Sequence, residues 1–169
     1  VCGGLVVGRI VCIPEKAVQT APVYTITAQN IKSEQERLRT AVQAAQEELR
    51  QALIEYRTAD TDTKSPEQTI LETHQAMLAD EEFIRAIYAE IETSLMNAES
   101  VLKRKLDEVI AMLTASGDSY LCERAVDIQD AYEPVFSYLN PQYKQTPSRF
   151  AGVQPDSLLA ARVFKPSEA

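Results

Sequence analysis

Residues 70–83 have the sequence ILETHQAMLADEEF, which predicts two short helices that meet at an acidic bend. The large side chains of its first half share one helix face because they follow a 4-3-1 spacing: Ile70, His74, Met77 and Leu78. Asp80 then has the chemistry of an N-cap, and the two glutamates after it suit the positive end of a second helix. Phe83 begins the apolar side of that helix. The bend, called the elbow below (residues 77–83), is expected to form a groove with an apolar floor and a negative rim.

A long helix is predicted upstream of the elbow, from Ser33 to about Arg57. Ser33 and Glu36 have the spacing of a capping box, in which each side chain bonds the other residue's backbone N–H. Apolar residues then recur at heptad spacing, which is typical of a helix that buries one face: Leu38, Val42, Ala45, Leu49, Ala52 and Tyr56. After a polar loop, Ser65-Pro66 predicts the start of the helix that leads to the elbow, because proline suits the first helical position.

Two more long helices are predicted after the elbow. Asn97 is the expected cap of the first and Gly117 its expected end, and its apolar set is Val101, Leu102, Leu106, Val109, Ile110 and Leu113. The next helix begins near Ser119, contains Pro134, which is expected to kink it, and ends at Asn140-Pro141. Long amphipathic helices with short connections predict a mainly α fold, a bundle of four main helices of which the second is broken at the elbow.

Strand-like segments flank the helices at both ends of the chain. Residues 5–13 are rich in β-branched side chains, and residues 23–26 and 157–164 give two shorter candidates. So few strands do not form a stable sheet alone. We therefore expect them to pair with each other, to pack on the bundle, or to belong to a domain that is incomplete here.

The net charge of −8 is placed unevenly along the chain. Between Ser65 and Ser100, eight acidic residues accompany a single basic one, Arg85. Such a field repels nucleic acid and anionic membranes and favours a basic partner; a solvated acidic surface that only confers solubility is an equally weighted alternative. Three cysteines without metal-like spacing, no membrane-length apolar run and no secretory leader predict a cytoplasmic protein with reduced thiols.

His74 is the single histidine of the chain and the obvious candidate for acid–base chemistry. Glu72 lies two residues away on another helix face, so it does not orient the imidazole ring. The sequence contains no Gly-rich phosphate loop, no Ser–His–Asp set and no metal quartet. A structural or interface histidine is therefore favoured over a catalytic one. The apolar elbow residues have two open interpretations, core packing or an exposed patch that binds a protein.

Two motifs resemble a known family. The first is Glu72-x-His74-x-x-Met77-Leu78-x-Asp80-Glu81-Glu82-Phe83, and the second, further along, is Tyr120-Leu121-x-Glu123-Arg124-Ala125-x-Asp127-Ile128-x-Asp130. Together with residues 5–13 and Lys165-Pro166-Ser167-Glu168, they resemble Enzyme I of the phosphoenolpyruvate-dependent sugar phosphotransferase system. That family passes phosphate from phosphoenolpyruvate through a histidine to the small carrier protein HPr.

The resemblance implies a helical HPr-binding domain inserted into a phosphohistidine domain. The implied division is residues 1–31 for the first strand segment, 32–141 for the helical domain and 142–169 for the return segment. The phosphorylated histidine, the dimerising phosphoenolpyruvate domain and its magnesium are all expected outside these residues. The chain is therefore expected to bind HPr, neither nucleic acid nor a membrane, without a cofactor and without transferring phosphate, although the full-length parent is a homodimeric enzyme.

The resemblance also implies which residues meet HPr: Met77, Leu78, Glu82, Phe83, Leu106, Ile110, Leu113, Leu121 and Arg124. Arg124 keeps two open roles, contact with the partner or bracing of the bundle through Asp127 or the helix-end carbonyls. Ser65, Pro66 and Ala76 depart from the family pattern, which bears on affinity and partner choice. The alternatives are a relative that serves a nitrogen-regulatory or dihydroxyacetone kinase relay, a purely structural bundle, and a phosphotransfer domain that uses His74.

Overall fold

The computed structural model describes residues 8–12, 21–59, 66–140 and 157–160. Within these ranges lie five α-helices and two short strands, in the order β1 (Arg9–Cys12), α1 (Ile31–Ala59), α2 (Pro66–Leu78), α3 (Glu81–Ser94), α4 (Ala98–Ala115), α5 (Ser119–Leu139) and β2 (Ser157–Ala160). A 3-10 turn, Ala28–Asn30, precedes α1. The predicted bundle, with its second helix broken at the elbow, is confirmed. No helix in the described ranges has the length and apolarity needed to cross a bilayer.

The start of α1 differs from the prediction. The helix begins at Ile31, so Ser33 lies inside it and the predicted capping box is wrong. The backbone is already turning before Ser33, because the Asn30 N–H donates to the Thr27 carbonyl at 2.9 Å. Glu36 instead pairs with Arg39 on the surface. Capping by a glutamate does occur, but between helices: Glu34 is buried, and its Oε1 accepts the Ala98 N–H of α4 at 2.7 Å.

The heptad face of α1 forms one wall of the core, as predicted. Its buried residues are Leu38, Ala41, Val42, Ala45, Leu49 and Leu53. They pack with buried residues of the other helices, among them Ile87, Ile91, Val101, Leu102, Val135 and Leu139. Each such large side chain contributes roughly 1.5–3 kcal/mol through its removal from water. Ala52 is half-buried, and the side chain of Tyr56 lies outside the described residues.

The helix ends follow the local chemistry of their residues. Asp80 is confirmed as an N-cap, since its Oδ1 accepts the N–H groups of Glu82 and Phe83 at 3.0 Å each. Gly117 follows α4 with φ at +69°, the left-handed conformation that glycine adopts without strain. Asp118 caps α5 by accepting the Tyr120 N–H at 2.8 Å. Ser65, the predicted cap of α2, lies outside the described residues.

Pro134 lies within α5, which continues past it as far as Leu139. The proline therefore does not end the helix, and the kink there stays a prediction. Asn140 has extended backbone angles and closes α5, as predicted. The second half of α5 is buried, including Tyr132, Val135 and Phe136, whereas Leu121 near its start is half-buried.

Residues 23–26 do not form the predicted strand. Thr25 makes a single antiparallel bridge with Met96, flanked by backbone bonds from Ile26 N–H to the Leu95 carbonyl at 2.8 Å and from Asn97 N–H to the Tyr24 carbonyl at 3.1 Å. The partner is the three-residue turn between α3 and α4, in which Leu95 has a positive φ of 52°. That turn is too short to provide a second strand of any length.

The strands β1 and β2 pair in parallel, with Arg9 opposite Ser157 and Cys12 opposite Ala160. One of the three expectations for the terminal strands, pairing with each other, is therefore confirmed. The remaining parts of the predicted strands, residues 5–7, 13 and 161–164, lie outside the described residues. A parallel pair is normally part of a larger sheet covered by helices, so these four-residue strands suit the edge of an additional domain.

Candidate functional site

The elbow is fixed by hydrogen bonds on both of its sides. The last carbonyls of α2 have no partner in their own helix, and side chains from two other helices bond them. The Tyr132 hydroxyl of α5 donates to the Met77 carbonyl at 3.0 Å, and the Gln46 Nε2 of α1 donates to the Leu78 carbonyl at 2.8 Å. Asp80 caps α3 at the same point, so the elbow has a defined shape.

Two of the residues predicted to meet a partner belong to the core. Leu78 is 1% exposed and Leu106 is 3% exposed. Both side chains point into the bundle, where helices packed around α2 and α4 cover them. Neither side chain is accessible to a partner in this structure, and the prediction that they contact a partner is corrected accordingly.

The other predicted residues are accessible and fall into two groups. At the elbow, Met77 and Phe83 are half-buried and Glu82 is exposed. The Phe83 ring packs edge-on against Tyr132, with centroids 5.4 Å apart. Because the same tyrosine bonds the Met77 carbonyl, the structure brings Met77 and Phe83 together around one side chain.

The second group lies where α4 turns into α5. Counting outward from Gly117 in this antiparallel pair places Leu113 opposite Leu121 and Ile110 opposite Arg124. The three apolar residues are half-buried. Helix α2, which leads into the elbow, also packs against α5. The two groups together, Met77, Glu82, Phe83, Ile110, Leu113, Leu121 and Arg124, are called the docking surface below.

Arg124 is braced along its own helix. Its Nη1 bonds the Asp127 Oδ2 at 3.0 Å, and its guanidinium lies 5.0 Å from the centroid of the Tyr120 ring. The side chain nevertheless remains 41% exposed. The contact with Asp127 that the sequence analysis considered is therefore present, but it lies within α5, and the exposed guanidinium still faces solvent.

Sequence reasoning missed two large exposed side chains next to the docking surface. Met112 is 68% exposed and Tyr120 is 57% exposed. Met112 was not predicted because it lies outside the apolar face of α4. Tyr120 was named only as part of the family motif, without a role of its own. Both are exposed side chains near the α4–α5 turn, so this end of the bundle offers more apolar surface than predicted.

The acidic charge of residues 65–100 is partly neutralised by neighbouring helices. Glu90 pairs with Arg104, and the buried Glu99 pairs with Arg37. At the elbow the balance differs, because the exposed carboxylates of Glu81 and Glu82 form no ion pair within the described ranges. The nearby Arg85 donates its Nε–H to the backbone carbonyl of Glu81, at 3.3 Å, and not to a carboxylate. The negative rim expected from the sequence therefore concentrates at the start of α3.

His74 is a core residue of α2, and its side chain is buried where α2 packs against α5. It is 3% exposed, and its Nε2 has no hydrogen-bond partner among the described residues. Burial lowers the pKa of His74 below its ordinary value of 6.5, while the carboxylates of Asp130 and Asp127 oppose that effect. A phosphate donor does not reach a side chain this deeply covered, so the geometry favours the structural role.

The burial of His74 predicts a stability that falls as the pH is lowered. Its pKa is lower in the folded chain than in the unfolded one, so between these two values the unfolded state binds more protons and stability rises with pH. Urea unfolding should show a loss from about pH 7.5 to about pH 5.5. The loss should be smaller in His74→Gln, which removes the titrating group.

The chain suits this measurement because it holds one histidine. Its single imidazole resonance in proton NMR gives the folded pKa directly, and we expect a value below 6.5. Gln75→His provides the control, since it adds an imidazole at the next, less buried position. A folded pKa above 6.5 for His74, or equal pH dependence in His74→Gln, would contradict the expectation.

The described residues show no metal site: no cluster of three or more metal-ligating side chains occurs in the four described ranges. Two open grooves run along α1 beside Tyr138, and neither is lined by an elbow residue. What the docking surface does offer is half-buried apolar side chains, exposed carboxylates and one exposed guanidinium. That combination is typical of a protein-binding surface.

Comparison with known proteins gives consistent results. The family described as PEP-utilising enzyme, N-terminal, matches residues 1–124. Among curated proteins, the chain is similar to the phosphoenolpyruvate-protein phosphotransferase of Streptococcus equinus, with 30% identity over 145 residues, 85% of this chain and 24% of that protein. It is also similar to the enzyme of the same name from Listeria monocytogenes, with 31% identity over 110 residues, 65% of this chain and 19% of that protein.

A solved structure has the same fold. The solution structure titled as Enzyme I (nEIt) aligns with a TM-score of 0.68 at 22% identity, covering 95% of this chain and 62% of that one. The chain thus spans a quarter or less of the length of these two curated relatives.

Proposed function

This chain belongs to the family of PEP-utilising enzymes, N-terminal region, and on that premise we propose that its helical bundle docks the phosphocarrier protein HPr. The observation that carries the proposal is the elbow, where half-buried Met77 and Phe83 lie beside the exposed carboxylates of Glu81 and Glu82. Apolar side chains within an acidic rim complement a small basic carrier in both shape and charge. The names of the curated relatives, phosphotransferases that act on proteins, support a protein partner.

We further propose that residues 1–31 and 142–169 belong to a phosphohistidine domain and that residues 32–141 form the docking domain. Support comes from the parallel pairing of β1 with β2, which brings together segments from the two ends of the sequence. In this arrangement the histidine that carries phosphate lies in the rest of the parent protein, a homodimeric cytoplasmic enzyme that uses phosphoenolpyruvate. His74 then supports the bundle and takes no part in the transfer.

Reversing one charge at the elbow tests the docking proposal. Glu82→Lys should weaken binding to HPr by about 1–3 kcal/mol, roughly fivefold to 150-fold in Kd, because it places a cation where the basic partner approaches. Titration calorimetry gives the affinity, and circular dichroism shows that the helical content is kept. The association rate of the unaltered chain should also fall with added salt, since the charges involved are exposed.

Glu36→Lys is the matched control. It makes the same change of charge on an exposed residue of α1, about 15 Å along that helix from Gln46 and the elbow. It breaks a surface pair with Arg39, which has little effect on stability. Equal affinities in Glu82→Lys and Glu36→Lys would argue against the docking surface. Tighter binding to a different HPr-like carrier, such as one of a nitrogen-regulatory relay, would keep the surface and change the partner.

A further inference from the structure

The elbow is held together by a residue outside it. Tyr132 lies in the middle of α5 and is buried. Its hydroxyl bonds the Met77 carbonyl in the last turn of α2, and its ring packs against Phe83 in the first turn of α3. One side chain therefore contacts the end of one helix and the beginning of the next.

We propose that Tyr132 is a positioning residue for partner docking: it fixes the angle of the elbow so that Met77 and Phe83 are presented together. This inference rests on the proposed function, because it concerns the presentation of the same surface. The chain between α2 and α3 consists of Ala79 and Asp80 alone. A two-residue connection joins the two helices but does not determine the angle between them. That angle therefore depends on contacts made by residues of other helices.

The backbone of the elbow shows where such a contact is needed. The Met77 carbonyl accepts the Asp80 N–H only at 3.3 Å, a weak bond, and the Tyr132 hydroxyl at 3.0 Å is its shorter contact. A buried carbonyl left without a good donor is costly, so the hydroxyl stabilises this particular turn. Burial and the nearby Asp80 carboxylate raise the pKa of Tyr132 well above its ordinary value, which keeps the hydroxyl protonated as a donor.

Gln46 supports the elbow from the opposite side. Gln46 lies in α1, and its Nε2 donates to the carbonyl of Leu78, the residue that follows Met77. The end of α2 is thus bonded by α5 and by α1, two helices that themselves pack together. Tyr132 itself also contacts α3, through Phe83. Helix α1 bonds α3 through a different side chain, Gln35, whose Nε2 donates to the Tyr88 carbonyl at 3.3 Å, beyond the first turn of α3. Tyr132 is thus a single side chain that bonds the end of α2 and packs on the start of α3. We therefore assign the angle between α2 and α3 to Tyr132.

Tyr132→Phe tests the proposal because it removes the hydroxyl and keeps the ring. The variant of the 169-residue chain should bind HPr about threefold to tenfold more weakly, the loss expected for one buried hydrogen bond that holds the surface in its binding conformation. Amide hydrogen exchange should accelerate at Glu82, Phe83 and Ile84, the first turn of α3, and stay unchanged in α4.

Two controls separate positioning from a general loss of stability. Tyr138→Phe removes a hydroxyl from the same helix, one that bonds Glu48 on the surface, and should leave affinity unchanged. Leu139→Ala opens a cavity at the end of α5 and should lower the melting temperature at least as much as Tyr132→Phe. At a temperature where every variant is folded, it should nevertheless retain affinity.

The outcomes separate the two proposals. If the unaltered chain binds HPr and Tyr132→Phe binds equally well, the positioning role is overturned and the docking function stands. The same conclusion follows if Leu139→Ala weakens binding as much as Tyr132→Phe, since any loss of stability would then suffice. If the unaltered chain does not bind HPr, the proposed function fails and the positioning role falls with it. In that case hydrogen exchange still reports whether the hydroxyl holds the elbow.

Discussion

Leu106→Asp should unfold the helical bundle, whereas Leu113→Asp, the same change two turns further along α4, should leave it folded. Leu106 is among the core residues packed between the helices, so the substitution removes a large apolar side chain and buries a carboxylate without a partner. The loss expected is at least about 4 kcal/mol in the free energy of unfolding. Urea unfolding followed by circular dichroism measures it.

Leu113→Asp should act on docking instead. Leu113 is half-buried near the end of α4, where an added carboxylate stays in contact with water and costs about 1 kcal/mol or less through the helix dipole. If Leu113 lies at the centre of the interface, its replacement should weaken HPr binding by about 1–2 kcal/mol. Leu106→Met is the conservative control and should retain both fold and affinity. A folded Leu106→Asp variant, or an unfolded Leu113→Asp variant, would contradict the structure.

This pair of leucines also shows what the sequence could and could not predict. Leu106 and Leu113 are seven residues apart, so they lie on the same face of α4 and periodicity treats them alike. They differ in burial because the helices around α4 cover its first half and leave its last turns open. The resemblance assigned both to the partner surface, and only the packing of the other helices distinguishes them. Leu78 was misassigned for the same reason.

The elbow itself was predictable because its determinants are local. Asp80 caps α3 through N–H groups two and three residues away, and that chemistry is visible in the sequence. Gly117 is a second case of this kind. The bonds that hold the elbow were not predictable, because Gln46 and Tyr132 are more than thirty residues from their acceptors. The start of α1 was misplaced because the backbone already turns at Thr27–Asn30, through a backbone bond that the side-chain pattern does not indicate.

Asn97→Leu should lower the free energy of unfolding by about 3 kcal/mol, because it removes a buried group of hydrogen bonds without changing side-chain volume greatly. Asn97 is fully buried before α4. Its Oδ1 accepts the Tyr24 N–H at 3.1 Å, and its Nδ2 donates to the Pro22 carbonyl and to the Glu99 Oε2, both at 2.8 Å. The substitution leaves the Tyr24 N–H without its acceptor and the buried Glu99 carboxylate without one of its donors.

Ser100→Ala is the reference against which the loss of unfolding free energy in Asn97→Leu is compared. The Ser100 hydroxyl bonds the same network, contacting the Asn97 Oδ1 and the Pro22 carbonyl, but its loss leaves no backbone N–H without an acceptor and should cost about 1 kcal/mol.

Asn97→Asp adds a third comparison, because it keeps the acceptor for Tyr24 while placing a second carboxylate beside Glu99. It should be as harmful as Asn97→Leu at neutral pH and recover as the pH is lowered. If Asn97→Leu were no more damaging than Ser100→Ala, the apolar gain of leucine would outweigh the lost bonds. The remaining contacts of the segment before α1, such as the bond from the Ser100 hydroxyl to the Pro22 carbonyl, would then suffice to hold it against α4.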